Sequence, residues 1–486
     1  MIFGKTTIFF ILCHIIISQI CYSQKKENPF TKKFPPYQLK KDAQLLQDVF
    51  LSMHPVQGIY KPKSYYDEQF NHFKQSLTDS LTEKEFRIKL KLLIGRMNCG
   101  HTDVMYSKNY LKNRKHLKVN YSPYVFVPIQ NKVYVYQNLN KKQDSVLKEG
   151  TEISEINGIP VDSILRMSQN LISVDGYNVS SKNHYTQIAF NSFYASLLEW
   201  PDTFRIKYKQ WDGLKSTTHH AFNGKKVIAI PFGPKKDSLM THYKRAKISY
   251  RFLDSANNIM LMKINSFSIR KYQMAYKKLF AKLNKNKSEN LIIDLRNNGG
   301  GSIKNALQLL SYLIDSSQTL TMSTSIKEYP FKKNTHGNLI FKLTRIVFNS
   351  IAKKTMHHDT VSYSFDIKPK QTNHFNRHIF VLINGGSFSA SCIVAAYLKY
   401  KNRAPFIGEE TGGAIEGCNA GITPYYKLPN TKLRVRIPAY RISNDVIPNI
   451  TGHGIIPDYK MDYSLTDLIQ HKDIELLKAL ELIKNL

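Results

Sequence analysis

The chain of 486 residues is poor in cysteine, tryptophan and acidic side chains. It has five cysteines, two tryptophans and 36 acidic residues, against 70 lysines and arginines. So few cysteines exclude a small scaffold held together by disulfides. After residue 20 no apolar run reaches the roughly 18 residues of a membrane-spanning helix. A hydrophobic content of 42% excludes a disordered chain and indicates a globular protein with room for two or three domains.

The shortage of acidic residues leaves a formal net charge of +34. One interpretation is a negatively charged partner, either nucleic acid or an anionic envelope surface. However, the lysines are spread along the whole chain and no nucleic-acid-binding motif accompanies them, which favours a solvated basic surface. The sequence therefore predicts no nucleic-acid partner, and association with an anionic envelope surface stays open as an alternative.

Residues 1–23 have the pattern of a secretory signal peptide. Lys5 is the only charged residue, the stretch from Thr6 to Ile20 is nearly all apolar, and small residues at Cys21 and Ser23 precede a polar segment. We therefore expect an exported protein, periplasmic or extracellular, that is cleaved near Ser23.

Three cysteines follow the signal peptide, at Cys99, Cys392 and Cys418. The favoured interpretation is that all three are small buried thiols. A Cys392–Cys418 disulfide is the alternative in an oxidising compartment, and a metal site is not expected.

Hydrophobic periodicity divides the rest of the chain into three parts. Apolar residues at helical spacing, with a capping box that begins at Thr82, predict an N-terminal helical region over 24–116. Short alternating segments predict a β-module over 117–224. Residues 225–486 form the third part, in which 325–377 is long, basic and irregular and is expected to be an insertion or a lid.

Two strand–turn–helix junctions lie about ninety residues apart in the third part. One is NLIIDLRNNGGGS, beginning at Asn290, and the other is IFVLINGGSFSAS, beginning at Ile379. In each, an apolar run typical of a strand buried on both faces ends in small and polar residues before a helical pattern. Backbone N–H groups at a helix N-terminus favour negative charge. Glycine amides at one junction and serine hydroxyls at the other together predict acyl-transfer chemistry.

Several segments, in this order and spacing, resemble serine peptidase family S41, which contains the C-terminal processing peptidases and the tricorn-like proteases. The segments are MNCGHTDV from Met97, IMLMKINSF from Ile259, DLRNNGGG from Asp294, SFSAS from Ser387, IGEETGG from Ile407 and GHGIIPD from Gly452. The resemblance implies a multi-domain α/β protein with a crotonase/ClpP-like catalytic domain. The N-terminal helical region precedes that domain, and the stretch from Gly150 to Val161 is similar to a PDZ-like β-module. The resemblance also implies a polypeptide substrate and no metal or organic cofactor.

The resemblance implies that Ser389 is the nucleophile. The family pattern is a serine followed by Ala, Ser and usually Glu, and Cys392 replaces that Glu here. At a strand-to-helix turn the Ser389 hydroxyl can face a cleft, whereas Ser387 and Ser391 are expected to cap the helix or fill the turn. The motif is not the G-x-S-x-G elbow of α/β-hydrolases.

The two branches of the family differ in the residue that acts as general base for the serine. C-terminal processing peptidases use a lysine about 25 residues after the nucleophile, where this chain has Ala414. The tricorn-like branch uses a histidine from the helical N-terminal region, and His101 occupies that position. A histidine suits the task because its unperturbed pKa of ~6.5 lies near neutral pH. The alternative is a histidine that only stabilises a helix C-terminus.

The acid that would orient the histidine is less clearly marked. Tricorn-like enzymes use a Glu shortly before the GHGIIPD-type segment, where this chain has Thr451. Asp445 is the nearest acidic candidate, and Glu410 and Glu416 are two others.

The resemblance also implies an oxyanion hole. It would use the backbone N–H of Ala390 with that of Gly299 or Gly300, because glycine allows a close approach of the main chain to the substrate. Asp294 and Arg296 are expected to pair and to fix the glycine loop.

These expectations describe an exported serine peptidase that hydrolyses peptide bonds through an acyl-enzyme, with a Ser–His catalytic pair. The alternative is a catalytically inactive, peptide-binding pseudopeptidase of the same fold, because the lysine is absent and the acid is poorly marked. A third hypothesis is a protein that binds anionic glycans or the envelope through its basic surface, which strong salt dependence would reveal.

Overall fold

The computed structural model describes residues 28–115, 120–139, 146–197, 201–223, 238–243, 246–268, 272–325, 335–336, 353–357, 360–448 and 450–486. The predicted signal peptide, 1–23, lies outside these residues. The helices are α1 (Pro36–Met53), α2 (Lys63–Gln75), α3 (Glu83–Ile94), α4 (Lys108–Arg114), α5 (Val161–Asn170), α6 (Ser180–Leu197), α7 (Tyr272–Lys285), α8 (Ile303–Leu310), α9 (Ala390–Tyr400), α10 (Leu465–Ile469) and α11 (Ile474–Lys484).

Strands occur along most of the described chain and form several sheets. They are β1 (Lys33–Phe34), β2 (Leu81–Thr82), β3 (Asp103–Met105), β4 (Asn120–Tyr121), β5 (Tyr124–Ile129), β6 (Lys132–Asn138), β7 (Glu152–Ile156), β8 (Ile159–Pro160), β9 (Thr203–Gln210), β10 (Gly213–His220), β11 (Phe222–Asn223), β12 (Thr241–Tyr243), β13 (Ile248–Phe252), β14 (Ile259–Ile264), β15 (Asn290–Asp294), β16 (Gln318–Ser325), β17 (Thr335–His336), β18 (Lys353–His357), β19 (Thr360–Ile367), β20 (His378–Ile383), β21 (Phe406–Gly408), β22 (Gly417–Ala420), β23 (Tyr425–Lys427), β24 (Arg434–Arg436), β25 (Tyr440–Ser443) and β26 (Tyr459–Lys460).

The N-terminal helices pack onto the third part of the chain. The capping box predicted at Thr82 is confirmed, since its hydroxyl accepts from Glu85 N–H and the Glu85 carboxylate accepts from Thr82 N–H. The buried carboxylate of Asp42 in α1 accepts hydrogen bonds from the backbone N–H groups of Asn430 and Thr431. Apolar residues of α1 to α3 belong to the same hydrophobic core as the central sheet. The helical region therefore shares its core with the domain that it precedes.

The β-module has a core of its own. Its sheet has the order β10-β9-β7-β6-β5, with β8 paired to β7. In β9 exposed and buried side chains alternate, as expected for a strand with one solvated face. The helices α5 and α6 contribute Ile164, Leu165 and Phe190 to this second core.

The central sheet has the order β12-β13-β14-β15-β20-β21-β26, and the strands from β14 onward are parallel. Side chains of β15 alternate between two cores: Leu291 and Ile293 face one, and Ile292 faces the other. Ala479 of α11 packs in the same core as Ile292. Because both faces are covered, β15 is apolar between its two end residues and β20 is apolar after His378, as the sequence predicted. Their carboxyl ends, where the two junctions begin, lie side by side.

Part of the segment 325–377 forms strands, which its sequence did not indicate, and whether it is an insertion or a lid stays a prediction. Strands β18 and β19 pair with each other, and β19 pairs with β16 in a sheet of order β18-β19-β16-β25-β22. The sequence of β19, TVSYSFDI, alternates β-branched and aromatic residues with small or polar ones, which suits a half-buried strand.

A short sheet connects the helical region to the junctions. Strand β3 pairs with β24, placing Asp103 opposite Arg436. This pairing fixes the loop before β3 against the central domain. No helix in the described part of the chain has the length and apolar character of a membrane span.

Candidate active site

Ser389 occupies a strained turn between β20 and α9. Its φ of 59° and ψ of −119° place a non-glycine residue in a sparsely populated region of backbone space, at a cost of about 1–3 kcal/mol. The turn is held from the neighbouring junction, because Ser387 Oγ donates to Leu295 O at 2.8 Å and Ser391 Oγ donates to Asn298 O at 2.8 Å. The two flanking serines therefore anchor the turn, and the Ser389 hydroxyl is left to face His101.

His101 contacts this hydroxyl directly. Its Nε2 lies 3.1 Å from Ser389 Oγ, although the two residues are 288 positions apart in the chain. The imidazole also packs against the Phe388 ring, with 4.6 Å between centroids. Its backbone carbonyl accepts a hydrogen bond of 2.8 Å from Arg436 Nε. Packing on one side and a backbone bond on the other thus hold the ring beside Ser389.

The imidazole of His101 is held in its neutral form. Loss of hydration, with a further contribution from the positive charge of Arg436, lowers the pKa of His101 to about 3. A neutral ring with an unprotonated Nε2 accepts the hydrogen bond of the Ser389 hydroxyl at any pH near 7. The ring is therefore in the protonation state that a general base requires, and its lowered pKa makes it a weaker base than a free imidazole.

The loop that carries His101 is fixed by an acidic residue that sequence reasoning missed. Asp175 is 1% exposed, and its Oδ1 accepts the N–H of Gly100 at 2.8 Å. Its Oδ2 has no hydrogen-bond partner among the described residues. Burial raises the pKa of Asp175 to about 7. No sequence motif surrounds Asp175, so only the fold reveals this contact.

The structure does not bring Asp445 to His101. Asp445 is exposed and follows β25, where its Oδ2 accepts from Thr321 Oγ1 at 3.3 Å. The second ring nitrogen of His101, Nδ1, has no hydrogen-bond partner in the described part of the chain. The expectation that Asp445 orients His101 therefore lacks the required contact, because the pairing of β25 with β16 directs this turn towards β16.

The other two acidic candidates hold a different loop. Glu416 Oε1 accepts from Tyr60 Oη at 2.8 Å and from Gly452 N at 3.0 Å. Glu410 Oε1 accepts from Gly454 N at 2.7 Å. Both carboxylates therefore fix the GHGIIPD segment, and neither contacts His101.

Two backbone N–H groups near Ser389 are free. Neither the N–H of Ala390, in the first turn of α9, nor that of Gly299 donates to an acceptor among the described residues. The N–H of Gly300 is already donated to Asn298 Oδ1 at 3.0 Å. Of the two glycines predicted as alternatives, Gly299 therefore has the available donor.

Gly300 has a steric role instead. A Cβ on this residue would lie 2.7 Å from Ser389 Cβ and 2.9 Å from the nitrogen of Ala390. Its φ of 94° is also one that other residues rarely adopt. Glycine at this position lets the first junction pass directly against the serine turn.

The predicted pairing of Asp294 with Arg296 is confirmed, and it extends further than the sequence indicated. Arg296 donates to both carboxylate oxygens of Asp294, at 3.0 and 2.9 Å, and to Asp473 and Glu475 at the start of α11. Although burial opposes ionisation, the charges of Arg296 and Lys263 lower the pKa of Asp294 to about 2. Every charged group at the end of β15 is therefore paired.

A cavity of about 440 Å³ opens beside His101. Its walls come from the helical region, the β-module and both junctions. The residues that line it are Lys91, Gly100, His101, Thr102, Asp103, Leu171, Ile172, Ser173, Ser181, Tyr185, Ala189, Phe193, Gly299, Phe388 and Arg436. It therefore reaches both the imidazole and the free amide of Gly299, and most of its other walls are apolar or neutral.

The three cysteines after the signal peptide are buried free thiols, as the favoured interpretation predicted. The alternative Cys392–Cys418 disulfide is wrong. Cys392 Sγ donates to Ser387 O at 3.2 Å and so packs behind the serine turn. Among the described residues, no group of histidine, cysteine and acidic side chains could hold a metal ion.

Residues 258–461, which include both junctions, match the family model described as peptidase family S41. The chain contains a domain of peptidase family S41. This is a family of serine-type peptidases, so the resemblance seen in the sequence is confirmed. His101 lies outside the matched segment.

The tail-specific protease of Haemophilus influenzae is 29% identical to the chain over 210 residues. The match covers 43% of this chain but only 24% of that protein, so the chain corresponds to about a quarter of its relative. The structure of mature CPAF complexed with lactacystin has a TM-score of 0.63 at 15% identity, covering 92% of this chain and 97% of that one. A second structure of mature CPAF gives the same TM-score at 15% identity, with coverage of 93% and 98%. At this identity the two structures show a shared fold alone.

Proposed function

We propose that this protein is a serine peptidase that hydrolyses peptide bonds in polypeptides, with Ser389 as nucleophile and His101 as general base. The observation that carries the proposal is the 3.1 Å contact between His101 Nε2 and Ser389 Oγ. This contact lies at the N-terminus of a helix in an S41 domain, beside a cavity open to a substrate.

The proposed reaction begins when Ser389 Oγ attacks the carbonyl carbon of the scissile bond and its proton passes to His101 Nε2. The N–H groups of Ala390 and Gly299 then hold the negative oxygen of the tetrahedral intermediate. His101 returns the proton to the leaving amine, which leaves an acyl-enzyme on Ser389. A water molecule that gives its proton to His101 attacks this ester, and collapse of the second intermediate releases the acid and restores the serine.

The proposed base works without an acid on its second nitrogen. Packing against Phe388 and the backbone bond to Arg436 orient the ring, and Asp175 holds the preceding glycine. The pair is thus closer to a dyad than to a complete triad. We expect a slower rate than with a full triad, because no carboxylate in the described part of the chain contacts the imidazole to stabilise the imidazolium that forms during the reaction.

We also propose that the protein is exported and that the β-module binds extended polypeptide. The signal-peptide pattern of residues 1–23 supports export. Strand β10 lies at one end of the sheet of the β-module and is mostly exposed, and an exposed strand edge can accept a peptide as an added strand. N-terminal sequencing of the protein from the cell envelope or medium tests export, and we expect the mature chain to begin near Gln24.

The peptidase proposal is tested by mass spectrometry of unstructured polypeptides incubated with the mature protein. Matched samples contain the Ser389→Ala and His101→Ala variants. We expect new peptide termini with the unaltered protein and none with either variant. Full activity in His101→Ala would overturn the assignment of the base, and full activity in Ser389→Ala would overturn the nucleophile.

A peptide-binding pseudopeptidase is the second candidate, and one observation favours it. The Nδ1 atom of His101 is buried and has no partner among the described residues, so the imidazolium lacks its usual stabilisation. Labelling with a fluorophosphonate, which reacts only with an activated serine, separates the candidates. The peptidase is expected to be labelled at Ser389, whereas a pseudopeptidase would bind peptides and stay unlabelled.

A further inference from the structure

One cationic group in the active-site cavity lacks an anionic partner. Arg436 lies on β24, and its Nε donates to the carbonyl of His101 at 2.8 Å. Its two terminal nitrogens make no hydrogen bond or ion pair with any described residue, and the side chain lines the cavity. An arginine presents five N–H donors in a planar fork, so most of its donors are unused here.

The other charged groups in the cavity neutralise each other. Lys91 Nζ contacts Asp103 Oδ1 at 2.7 Å, and the same oxygen accepts the N–H of Val104 at 2.8 Å. Asp103 sits opposite Arg436 in the β3–β24 register, yet its ion pair is made with Lys91. The described walls of the cavity therefore carry one uncompensated positive charge. A charge in a mainly apolar cavity is costly unless a partner arrives.

We propose that Arg436 binds a carboxylate of the substrate close to the scissile bond, so that the protein selects polypeptides with an acidic group at that position. The inference rests on the proposed function, since it concerns the substrate of the same site. A carboxylate matches the planar fork and can accept two parallel hydrogen bonds. An acidic side chain or the C-terminus of a short peptide can supply it.

The position of Arg436 links this contact to catalysis. The residue is fixed through the carbonyl of His101, so a carboxylate on its free nitrogens lies in the same cavity as the imidazole and the Gly299 amide. A bound acidic group therefore places the adjoining peptide bond near Ser389. Positioning of this kind reduces the entropy that the reaction must lose.

A neighbouring arginine provides a matched control. Arg434 lies two residues earlier on β24, and its Nε also donates to a backbone carbonyl, that of Tyr106, at 3.3 Å. Unlike Arg436, it does not line the cavity. Replacing Arg434 by Gln removes the same charge and a comparable bond from the same strand, outside the proposed site.

The test uses pairs of peptides that differ only by Asp against Asn, or Glu against Gln, at each position around a cleaved bond. Each pair is made with a free and with an amidated C-terminus. For the unaltered protein we expect kcat/KM to be roughly 10- to 100-fold higher either for the acidic member at one position or for the free over the amidated C-terminus, the range for hydrogen bonds to a charged group. The ratio should fall to about 1 in Arg436→Gln and stay unchanged in Arg434→Gln.

The readout is the ratio of two kcat/KM values measured with the same variant. A general loss of activity lowers both values and leaves the ratio unchanged. Arg436→Lys, which keeps the charge but not the fork, is expected to give an intermediate ratio. If the bound group is the terminal carboxylate, amidation lowers kcat/KM for both members of a pair, whereas a bound side chain gives an acid-to-amide ratio that survives amidation. The inference is overturned if the unaltered protein prefers neither an acidic side chain nor a free C-terminus, or if Arg436→Gln keeps the preference.

Binding separates a failure of this inference from a failure of the proposed function. Fluorescence anisotropy measures the affinity of the acidic and amide peptides for Ser389→Ala and for the double variant Ser389→Ala/Arg436→Gln. Suppose that no peptide is cleaved, but that Ser389→Ala binds the acidic peptide more tightly than the amide peptide and the double variant does not. The peptidase proposal then fails, and the proposed carboxylate site at Arg436 stands. Equal affinities for both peptides in Ser389→Ala would refute the site whatever the activity.

Discussion

The ends of β15 and β20 lie next to each other in one parallel sheet and differ in how their polar groups are satisfied. At the end of β15, Asp294 and Arg296 form a buried network that reaches the first residues of α11. At the end of β20, Ser389 adopts a strained backbone conformation and the Ala390 amide has no acceptor among the described residues. The charged side chains of the first junction are paired with one another, and its Gly299 amide adds to the groups that the second junction offers to a ligand.

This difference distinguishes residues that support the fold from residues that are candidates for catalysis. Buried polar groups in folded proteins are almost always paired, so an unpaired group requires an explanation. Strain and free donors cost stability and persist only where surrounding structure holds them. Here the paired network supplies that support, because carbonyls just beyond Asp294 accept the hydroxyls of Ser387 and Ser391.

The largest effect is expected for the nucleophile at the end of β20. Ser389→Ala should reduce peptide cleavage by roughly 10⁴–10⁶-fold, since the covalent step is lost. Its unfolding midpoint should not fall, because alanine removes no bond that anchors the turn. Ser387→Ala is the opposite case and should lose about 1 kcal/mol of stability, because it deletes the bond to Leu295. Cleavage rates and denaturant unfolding are measured for both variants. Equal losses of activity and of stability in the two variants would contradict the prediction.

The next largest effect is expected at the end of β15. Arg296→Met removes the cation that Asp294 and Glu475 share, leaving Asp294 with the 3.5 Å contact to Lys263, and should cost about 3–5 kcal/mol of unfolding free energy. Denaturant unfolding, followed by circular dichroism, measures the loss. The exposed pair Arg166–Asp162 on α5 provides the control, and Arg166→Met should change stability by less than about 1 kcal/mol. Equal effects would mean that the buried network is not a scaffold.

A smaller effect is expected where the two junctions touch. Gly300→Ala introduces a Cβ that would lie 2.7 Å from that of Ser389, so we expect it to displace the serine and reduce kcat/KM by roughly 10²-fold. Gly299→Ala meets no atom within 4 Å and keeps its amide, so it should retain at least about tenfold more activity than Gly300→Ala. Comparable losses in both would show that the glycine loop adjusts.

The smallest effect concerns the loop that faces the second junction. Burial raises the pKa of Asp175 to about 7 from its usual value of 3.8, so between these values the folded protein binds a proton that the unfolded chain does not. The contribution of this group is therefore most favourable below about pH 4 and is lost as the pH rises towards 7.

Asp175→Asn should abolish this dependence. Lowering the pH from 7.5 to 5 is expected to stabilise the unaltered protein relative to the variant by about 1–2 kcal/mol. The buried histidines His54 and His184, whose pKa values are lowered by burial, act in the opposite direction but cancel in the difference. Thermal or denaturant unfolding at both pH values measures it, and an unchanged difference would contradict the raised pKa.

Local sequence patterns predicted the strands and the helix start well, but they did not predict which acidic residue lies near His101. The apolar runs of β15 and β20 and the capping box at Thr82 depend on neighbouring residues, so the sequence revealed them. Asp445 was chosen because it is close in sequence to the expected position, but strand pairing places it beside Thr321. Asp175 carries no motif at all, and only the packing of its loop against Gly100 reveals it.

The segment 325–377 shows a second limit. Its sequence looked basic and irregular and gave no sign of strands β18 and β19, which extend a sheet because β19 pairs with β16. Strand formation there depends on a partner strand about forty residues away, which no local window contains.

The sequence by itself determined the buried strands β15 and β20, the helix start at Thr82, the glycine and serine junctions and the resemblance to family S41. These features depend on residue type and short spacing. Only the tertiary structure decided which polar groups meet and which stay free: the contact of His101 with Ser389, the commitment of the Gly300 amide to Asn298, and the unpaired fork of Arg436. A hydrogen bond requires a partner within about 3 Å, and such distances between residues far apart in the chain are set by packing.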